Sequence, residues 1–238
     1  MATATLAPAL PAALDRHDTR LRFIAALPPA AHVLDAGCGA FKTQRKLIAA
    51  RPDLRFTGVD MLDVGHDCPA GSSFYRLDFE SERLPFPDQH FDGIFFCHVM
   101  EHLANRFNVL AEFSRVLKPG GRIYIEGPST CSIWLPSLPA LPSRSGTAIG
   151  DDLNFFDNFT HVRPLSRRGL QMFLEMAGCQ CQASGAVRHW RKLLLSPLLL
   201  VGGLLARRRR WVCLALWELC GWSDYAIGEK QAPEASSC

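Results

Sequence analysis

Two glycines and an aspartate are placed where they would contact a nucleoside. Gly37 and Gly39 follow the short apolar run 32–35, and Asp60 lies 21 residues after Gly39, at the end of the next such run. Glycines at a strand end let the backbone turn sharply and approach a ligand, and a carboxylate on the neighbouring strand end can accept hydrogen bonds from both ribose hydroxyls. The combination predicts a nucleoside-binding site.

The kind of nucleoside ligand is narrowed by the residues after this turn. Dinucleotide-binding proteins carry a third glycine where this chain has Lys42, which disfavours NAD or FAD. Residues 33–39, Val-Leu-Asp-Ala-Gly-Cys-Gly, instead resemble the first motif of the class I S-adenosylmethionine-dependent methyltransferases. The resemblance covers about residues 30–127. Within the family, the chain is similar to the ubiquinone-biosynthesis-type small-molecule subfamily. It continues through the segments 84–88, 91–92, 100–103 and 112–121.

The resemblance implies S-adenosylmethionine as the cofactor and gives roles to particular residues. Gly37 and Gly39 would pass under its methionine part, while Cys38 packs the turn rather than reacting. Asp60 would bind the ribose and Met61 would pack on the adenine. The expected cofactor-binding residues are Asp35, Gly37, Cys38, Gly39, Asp60, Met61, Asp78, Phe79 and His98.

The resemblance also implies roles for Asp35, Asp78 and Phe79. Asp35 would brace the glycine loop or reach the methionine amine through water. Asp78 and Phe79 follow the third apolar run, and by resemblance they would meet the adenine amino group and ring.

His98, Glu101 and His102 follow the fourth apolar run and are spaced i, i+3 and i+4. A helix would place them on one face, at the carboxyl edge of the sheet where ligands bind. Some relatives carry a Glu-x-x-Glu-His metal site here, but His98 replaces its first Glu. His161 would complete four ligands for a divalent ion. We favour the alternative, in which Glu-His marks a helix start and no metal is bound.

His161 lies in the segment after the fifth strand, where this fold builds its substrate cap. An imidazole titrates near neutral pH, so His161 is a candidate general base, with a purely structural role as the alternative. Methyl transfer displaces a sulfonium in line, so the enzyme must align the acceptor, exclude water and deprotonate a hydroxyl acceptor. The predicted catalytic residues are His161, His102 and Glu101.

The elements that must position these residues follow from hydrophobic patterning. Five short apolar runs between residues 32 and 126 alternate with helices or loops, which predicts a mostly parallel sheet with helices on both faces. Two later runs, 179–187 and 224–230, complete a Rossmann-like, doubly wound α/β fold with seven strands. Helices are predicted over 14–27, 42–50, 108–117 and 165–177.

The domain organisation that we predict is a single methyltransferase domain over residues 14–230. It contains a substrate cap loop, 128–163, and an apolar, basic insertion before the last strand, 188–222. Residues 1–13 are expected to form a flexible leader and 231–238 a flexible tail. Pro8 and Pro11 and the absence of an early positive charge disfavour a signal peptide.

Charge is distributed unevenly along the chain. The formal net charge is +3, but residues 188–210 hold seven basic and no acidic residues, leaving 19 basic against 23 acidic elsewhere. A nucleic-acid-binding protein with a basic face spread over its fold is therefore disfavoured. Nine cysteines without paired spacing indicate reduced thiols and a cytoplasmic location.

The insertion carries an uncharged run of 14 residues, 193–206, between basic flanks. This run is shorter than the roughly 20 apolar residues that cross a bilayer. Aromatic and basic flanks suit peripheral contact of residues 190–211 with the inner membrane face, one of several interpretations that the sequence leaves open. The alternatives are a helical insertion packed on the sheet edge or on a second subunit, and a lid over a hydrophobic acceptor.

These observations predict an S-adenosylmethionine-dependent methyltransferase that acts on a hydroxyl of a small-molecule or lipid-linked acceptor, without a nucleic-acid partner. One alternative is a methyltransferase of nucleic acid or protein. A second is a non-catalytic scaffold protein that kept the cofactor pocket and would bind the cofactor without turnover.

Overall fold

Seven strands form one sheet in the computed structural model, which describes residues 18–137 and 153–232. The strands are β1 (His32–Ala36), β2 (Arg55–Asp60), β3 (Ser73–Arg76), β4 (Phe91–Cys97), β5 (Leu117–Pro128), β6 (Cys179–Ala186) and β7 (Ser223–Lys230). Their order is β3-β2-β1-β4-β5-β7-β6. The first five pair in parallel, and β7 runs antiparallel to both β5 and β6. The predicted Rossmann-like sheet is confirmed.

The helices follow the predicted pattern with shifted ends. They are α1 (Thr19–Ala25), α2 (Lys42–Ala50), α3 (Arg106–Val116), α4 (Arg167–Met176), α5 (Trp190–Leu205) and α6 (Arg209–Cys220). Helix α1 was predicted from residue 14 but is capped by Asp18, whose Oδ1 accepts a hydrogen bond from the backbone N–H of Arg20 at 2.9 Å. Helix α4 begins after Ser166, whose hydroxyl oxygen accepts from the N–H of Gly169 at 3.0 Å.

Both faces of the sheet are buried, so its central strands have no solvent-facing side. Phe95 and Phe96 are neighbours on β4 and point to opposite faces, as the alternation of a strand requires. The ring of Phe96 packs with Phe113 of α3, and that of Phe95 stacks on Tyr124 at 5.1 Å between centroids. This two-sided burial explains why the central strands read as continuous apolar runs.

The carboxyl ends of the parallel strands meet at one edge of the sheet. Strand order reverses between β1 and β4, and the crevice above such a reversal is where open α/β sheets bind ligands. The loops after β1, β2, β4 and β5 therefore determine the candidate site.

The insertion 188–222 folds into a helical hairpin made of α5 and α6. A side chain at Gly203 would meet Val212 Cγ2 at 2.9 Å, which shows how closely the two helices approach each other. In the part of the chain that the structure describes, no helix has the length and hydropathy needed to cross a bilayer. The predicted leader, residues 233–238 of the tail and residues 138–152 of the cap loop lie outside the described residues.

Candidate functional site

The loop after β1 is held on the neighbouring strand by backbone hydrogen bonds. The N–H groups of Gly37 and Cys38 both donate to the carbonyl of Val59, at 2.7 and 3.2 Å. Gly37 and Gly39 have φ angles of 77° and 48°, a left-handed conformation that glycine adopts without a steric penalty. A side chain at Gly37 would also collide with Val99, whereas the Cβ direction of Gly39 is open. The loop therefore needs both glycines and leaves open space beside the second.

Asp60 holds this loop in place from the end of β2. Its Oδ2 accepts a hydrogen bond from the N–H of Gly39 at 2.8 Å, and its Oδ1 accepts one from the N–H of Leu62 at 2.9 Å. Each carboxylate oxygen has two lone pairs, so one acceptor position remains on each oxygen for a ligand. Met61 follows with an exposed side chain, as a residue that covers a ligand requires.

Asp35 is buried beneath the glycine loop near Asp60. Burial raises the pKa of the Asp35 carboxyl to about 7, and the negative charge of Asp60 adds to the effect. A cationic group bound above the loop would favour the ionised form of Asp35.

Cys38 is a packing residue in this structure. A side chain at Gly58 would lie 2.8 Å from the Cys38 sulfur, and burial raises the pKa of the thiol far from the range of a reactive thiolate. The place of Cys38 among the cofactor-binding residues stays a prediction.

Asp78 and Phe79 follow β3 and take different environments. Asp78 organises a turn, in which its carboxylate accepts hydrogen bonds from the N–H of Glu80 at 3.0 Å and from the Ser81 hydroxyl at 2.9 Å. Phe79 lies in the core, with its ring edge-on to Phe96 at 6.3 Å. Their contacts with adenine remain predictions.

The segment after β4 does not form the predicted helix. His98 has φ 55° and its N–H donates to the carbonyl of Glu126 at 2.8 Å, so the chain turns there, and Met100–His102 forms a single 3-10 turn. A common helical face for His98, Glu101 and His102 is therefore wrong. His98 instead pairs with Glu101, while His102 turns toward the cap.

His98 lies between two buried carboxylates. Its Nδ1 is 3.3 Å from Glu101 Oε1 and its Nε2 is 3.1 Å from Glu126 Oε1. Burial lowers the pKa of His98, but hydrogen bonds to Glu101 and Glu126 and their charges outweigh it and raise the pKa to about 9. Glu126 also accepts hydrogen bonds from Arg20 of α1, at 2.5 and 2.8 Å. Two cations thus balance two carboxylates at the end of β4 and β5.

The carboxylate of Glu101 and the two imidazoles of His102 and His161 converge beside this network. One ligand atom of each lies within 4.8 Å of the others. The Thr160 hydroxyl lies 2.8 Å from His102 Nδ1, and the N–H of Val162 donates to the carbonyl of Glu101 at 2.7 Å. Burial lowers the pKa of His102, which favours its neutral form. The predicted catalytic residues are therefore brought together by the cap.

A cavity of about 410 Å³ opens over these groups. The predicted residues His98, Glu101, His102 and His161 contribute to its wall, and so does the α5–α6 hairpin. Its other lining residues are Arg20, Glu126, Asn158, Val187, His189, Lys192, Trp217, Glu218, Trp222 and Ser223.

Comparison with known proteins finds methyltransferases that are similar to part of this chain. Residues 34–125 match a family model described as a methyltransferase domain. The demethylmenaquinone methyltransferase of Symbiobacterium thermophilum is 38% identical over 103 residues, which are 40% of this chain and 41% of that protein. Residues 34–125 are therefore similar to the methyltransferase domain of class I S-adenosylmethionine-dependent methyltransferases.

Other relatives of the chain are named for methylation of different atoms, oxygen in one and carbon in another. An O-methyltransferase of Pyrenophora dematioidea is 31% identical over 60% of this chain and 64% of its own length. The ubiquinone/menaquinone biosynthesis C-methyltransferase of Laribacter hongkongensis is 30% identical over 52% of this chain and 53% of its own. The chain spans less than two thirds of the length of these curated relatives.

Solved structures support the methyltransferase fold. A SAM-dependent methyltransferase from Archaeoglobus fulgidus superposes with a TM-score of 0.59 at 22% identity, covering 90% of this chain and 92% of that one. The superposition supports the arrangement of strands and helices.

The glycine loop fits S-adenosylmethionine, the cofactor that the similar methyltransferases imply. The open space beside Gly39, the remaining acceptor positions of Asp60 and the exposed side chain of Met61 suit a ribose and an adenine. The buried Asp35 suits the ammonium of the methionine part. Gly37, Gly39, Asp60 and Met61 are therefore the residues that would hold the cofactor.

Several residues that line the cavity were not predicted from the sequence. Glu126 ends the fifth apolar run of the sequence and lies two residues before the end of β5, so the placement that singled out Asp60 would also have singled out Glu126. No local sequence pattern indicated a role for Arg20, because its hydrogen-bond partner Glu126 lies 106 residues further along the chain. Trp217 and Glu218 were read only as part of the insertion, whose approach to the site depends on how the hairpin packs.

The His98 network makes a testable contribution to stability. Because the pKa of His98 is raised to about 9 in the fold, the stabilisation is fully present below the unfolded pKa of about 6.5 and is lost as pH rises through 9. A third of the His98 side chain is exposed, so screening reduces the loss to about 1 kcal/mol, or about 2–4 °C in Tm.

Thermal melts of the native chain and of His98→Gln between pH 6.5 and 10 measure this contribution. The native Tm should fall more steeply with pH than that of the variant, while His66→Gln, at an exposed histidine, should follow the native curve. Parallel curves for the native chain and His98→Gln would contradict the assigned charge on His98.

Proposed function

We propose that this methyltransferase transfers a methyl group to a hydroxyl of a small-molecule or lipid-linked acceptor held in the 410 Å³ cavity, with His161 accepting the hydroxyl proton. The observation that carries the proposal is the 2.6 Å contact between His161 Nδ1 and the carbonyl oxygen of Phe155. A carbonyl only accepts hydrogen bonds, so Nδ1 carries the proton of the neutral ring. The lone pair of His161 is then on Nε2, the nitrogen that can act as a base.

The carbonyl that orients His161 is itself held in a rigid turn. Asn154 caps the 3-10 turn Phe155–Asp157 by accepting from the N–H of Phe156 at 2.9 Å, and Asp157 accepts from the N–H of Asn154 at 2.9 Å. The ring of His161 also packs on that of Phe155, 4.6 Å between centroids. A base fixed by both a hydrogen bond and a ring contact loses little entropy on reaction.

Glu101 and His102 support an acceptor hydroxyl in the same place. Glu101 Oε2 is buried and has no hydrogen-bond partner among the described residues, a costly arrangement that a donor from a bound acceptor would relieve. His102 stands 4.8 Å from His161 between ring centroids. These side chains would orient the hydroxyl while His161 takes its proton.

S-adenosylmethionine, when bound by the glycine loop, supplies an electrophilic methyl group on a sulfonium. The protein's own contribution is to align the acceptor oxygen, exclude water and accept one proton. The aromatic wall formed by Trp217 and Trp222, whose rings lie 5.5 Å apart between centroids, favours an acceptor with a flat or apolar body.

Two other functions predict different outcomes of a methyl-transfer assay. A methyltransferase of nucleic acid or protein would transfer the methyl group to RNA or to a polypeptide. A non-catalytic scaffold protein would bind the cofactor and release it unchanged.

Transfer of labelled methyl from S-adenosylmethionine tests the proposal across a panel of acceptors. The panel contains soluble phenols, hydroxylated quinols with isoprenoid tails, RNA and total protein. We expect label on a hydroxylated small molecule or lipid, with the methyl on oxygen by mass spectrometry. Label on RNA or protein, label on carbon, or cofactor binding without transfer to any acceptor would each overturn the proposal.

A further inference from the structure

Helix α5 presents its apolar residues to solvent and its small residues to the protein. The residues that it buries are Ser196 and Gly203, which are seven positions apart and so share one face, and Gly203 lies against Val212 of α6. The exposed apolar side chains recur every three or four residues, so they form one stripe along the helix. They are Trp190, Leu194, Leu195, Leu198, Val201, Leu204 and Leu205.

This polarity is the reverse of that of a surface helix in a water-soluble protein, whose apolar stripe faces the core. Leu198 is 73% exposed and Leu205 is 81% exposed, and Trp211 of α6 adds a further exposed ring beside the stripe. A contiguous apolar surface of this kind marks a contact with a membrane or with another protein.

The charges around the stripe are positive. The exposed basic residues of the hairpin and its flanks are Arg188, Arg191, Lys192, Arg207, Arg208 and Arg210. The sole acidic residue of segment 188–222 is Glu218, which is buried against His189 at 3.1 Å. Its charge is therefore directed into the protein, and the outer surface of the hairpin carries cations alone.

These features discriminate between the two occupants that an apolar stripe can have. A second copy of the chain, packed symmetrically on this face, would bring the same cations opposite one another, which is repulsive. An anionic bilayer attracts the cations and takes up the leucines. The charge complementarity therefore favours a lipid surface.

We propose that the α5–α6 hairpin is a docking surface for an anionic lipid bilayer, with α5 lying parallel to the membrane plane. The 16 residues of α5 at about 1.5 Å per residue give a length of about 24 Å, less than the roughly 30 Å hydrocarbon core. The leucines enter the boundary between headgroups and acyl chains. Trp190 and Trp211 lie at the level of the headgroups, where amphipathic rings are favoured.

Docking in this orientation places the cavity beside the lipid. His189 and Lys192 at the start of α5, and Trp217 of α6, also line the cavity wall. An acceptor dissolved in the bilayer would then reach the cavity along the hairpin rather than through water. This consequence rests on the proposed function, whereas docking itself requires no methyl transfer.

Flotation of the full chain with vesicles tests the docking without any activity measurement. Vesicles of phosphatidylcholine alone are compared with vesicles in which a third of the lipid is phosphatidylglycerol, at low salt and at about 0.5 M NaCl, where exposed charges are screened. We expect flotation at least about fivefold higher with the anionic vesicles, reduced by salt.

Two variants and their matched controls assign the effect to the hairpin. Leu194→Gln/Leu198→Gln/Leu205→Gln and Arg207→Gln/Arg208→Gln/Arg210→Gln should each reduce flotation at least about fivefold. The leucine and arginine side chains are exposed, so the melting temperature should change little. Met172→Gln/Met176→Gln on α4 and Lys46→Gln/Arg55→Gln should float like the native chain.

Three outcomes would overturn the proposal. One is equal flotation, or none, with both kinds of vesicle. Another is native flotation of the leucine or arginine variants. The third is a native dimer in light scattering that dissociates in the leucine variant, because the stripe would then be covered by a second copy. Cofactor binding by Asp60→Ala and the acceptor assay are independent of all three.

Discussion

Replacing Asp60 with alanine is expected to weaken binding of S-adenosylmethionine about 100-fold or more. The carboxylate holds the N–H groups of Gly39 and Leu62 and offers its remaining acceptor positions to the ribose diol. Hydrogen bonds to a charged group contribute about 1.5–3 kcal/mol each, so losing two to the ribose corresponds to at least about two orders of magnitude in Kd. Calorimetric titration with S-adenosylmethionine measures the change directly.

Controls separate loss of the ribose contact from loss of the loop. Asp60→Asn keeps one oxygen that can still accept from Gly39, so it should bind with intermediate affinity while its melting temperature stays near native. Asp63→Ala, at an exposed aspartate three residues later, should bind like the native chain. Undiminished binding by Asp60→Ala would remove Asp60 from the cofactor-binding residues. It would also contradict the interpretation of the glycine loop as a nucleoside-binding site.

The parallel part of the fold was predictable because local pattern and buried strand coincide. Residues 42–50 were predicted as a helix and form α2 with the same bounds. The runs ending at Asp60 and Glu126 are continuous because both faces of those strands are covered. The start of α1 was less predictable, because capping by Asp18 sets it, whereas the cap of α4 by Ser166 could be predicted from the preceding Pro164 and the helical pattern that follows.

The residues after β4 show why a spacing rule failed. His98, Glu101 and His102 have helical spacing, but the N–H of His98 is bound by the carbonyl of Glu126, and its φ of 55° interrupts any helix. That hydrogen bond joins residues 28 positions apart, so nothing local in the sequence reports it. The cation–carboxylate network with Arg20 was missed for the same reason.

The α5–α6 hairpin has some features that the local sequence predicts and others that depend on distant contacts. Its apolar run and basic flanks are local properties, so an unusual surface was predictable from residues 188–222 alone. Which side of α5 faces outward was not predictable, since Ser196 and Gly203 are small rather than apolar and the leucines surround most of the helix. The close approach of Gly203 to Val212 determines which side of α5 faces the protein, because only a glycine fits there.

Replacing His161 with alanine is expected to lower kcat about 10²–10⁴-fold while leaving the affinity for S-adenosylmethionine unchanged, since removal of a positioned base costs about that factor. His161 lies on the cap and not on the glycine loop, which is why cofactor binding should be spared. Single-turnover transfer of labelled methyl to the acceptor found by screening, together with calorimetry, measures the two quantities separately.

A further variant distinguishes a base from a structural residue. In His161→Gln the side-chain amide can still donate to the carbonyl of Phe155, so the cap keeps its anchor, but no atom of the amide accepts a proton at neutral pH. If His161 is the base, His161→Gln should be as slow as His161→Ala, and added imidazole should partly restore the rate of the alanine variant. Recovery of the native rate in His161→Gln would show that the ring only supports the cap.

A chelator separates the base from a metal ligand at the same position. Glu101, His102 and His161 are close enough to share a divalent ion, and such an ion would occupy the lone pair that the proposed base needs. With His161 as the base, dialysis against EDTA should leave turnover within about twofold of the untreated enzyme. The control variant His66→Ala, at an exposed histidine, should respond to the same dialysis in the same way. A loss on dialysis that is reversed by one divalent ion would instead make His161 a ligand, and the proton would have to leave through a water bound to that ion.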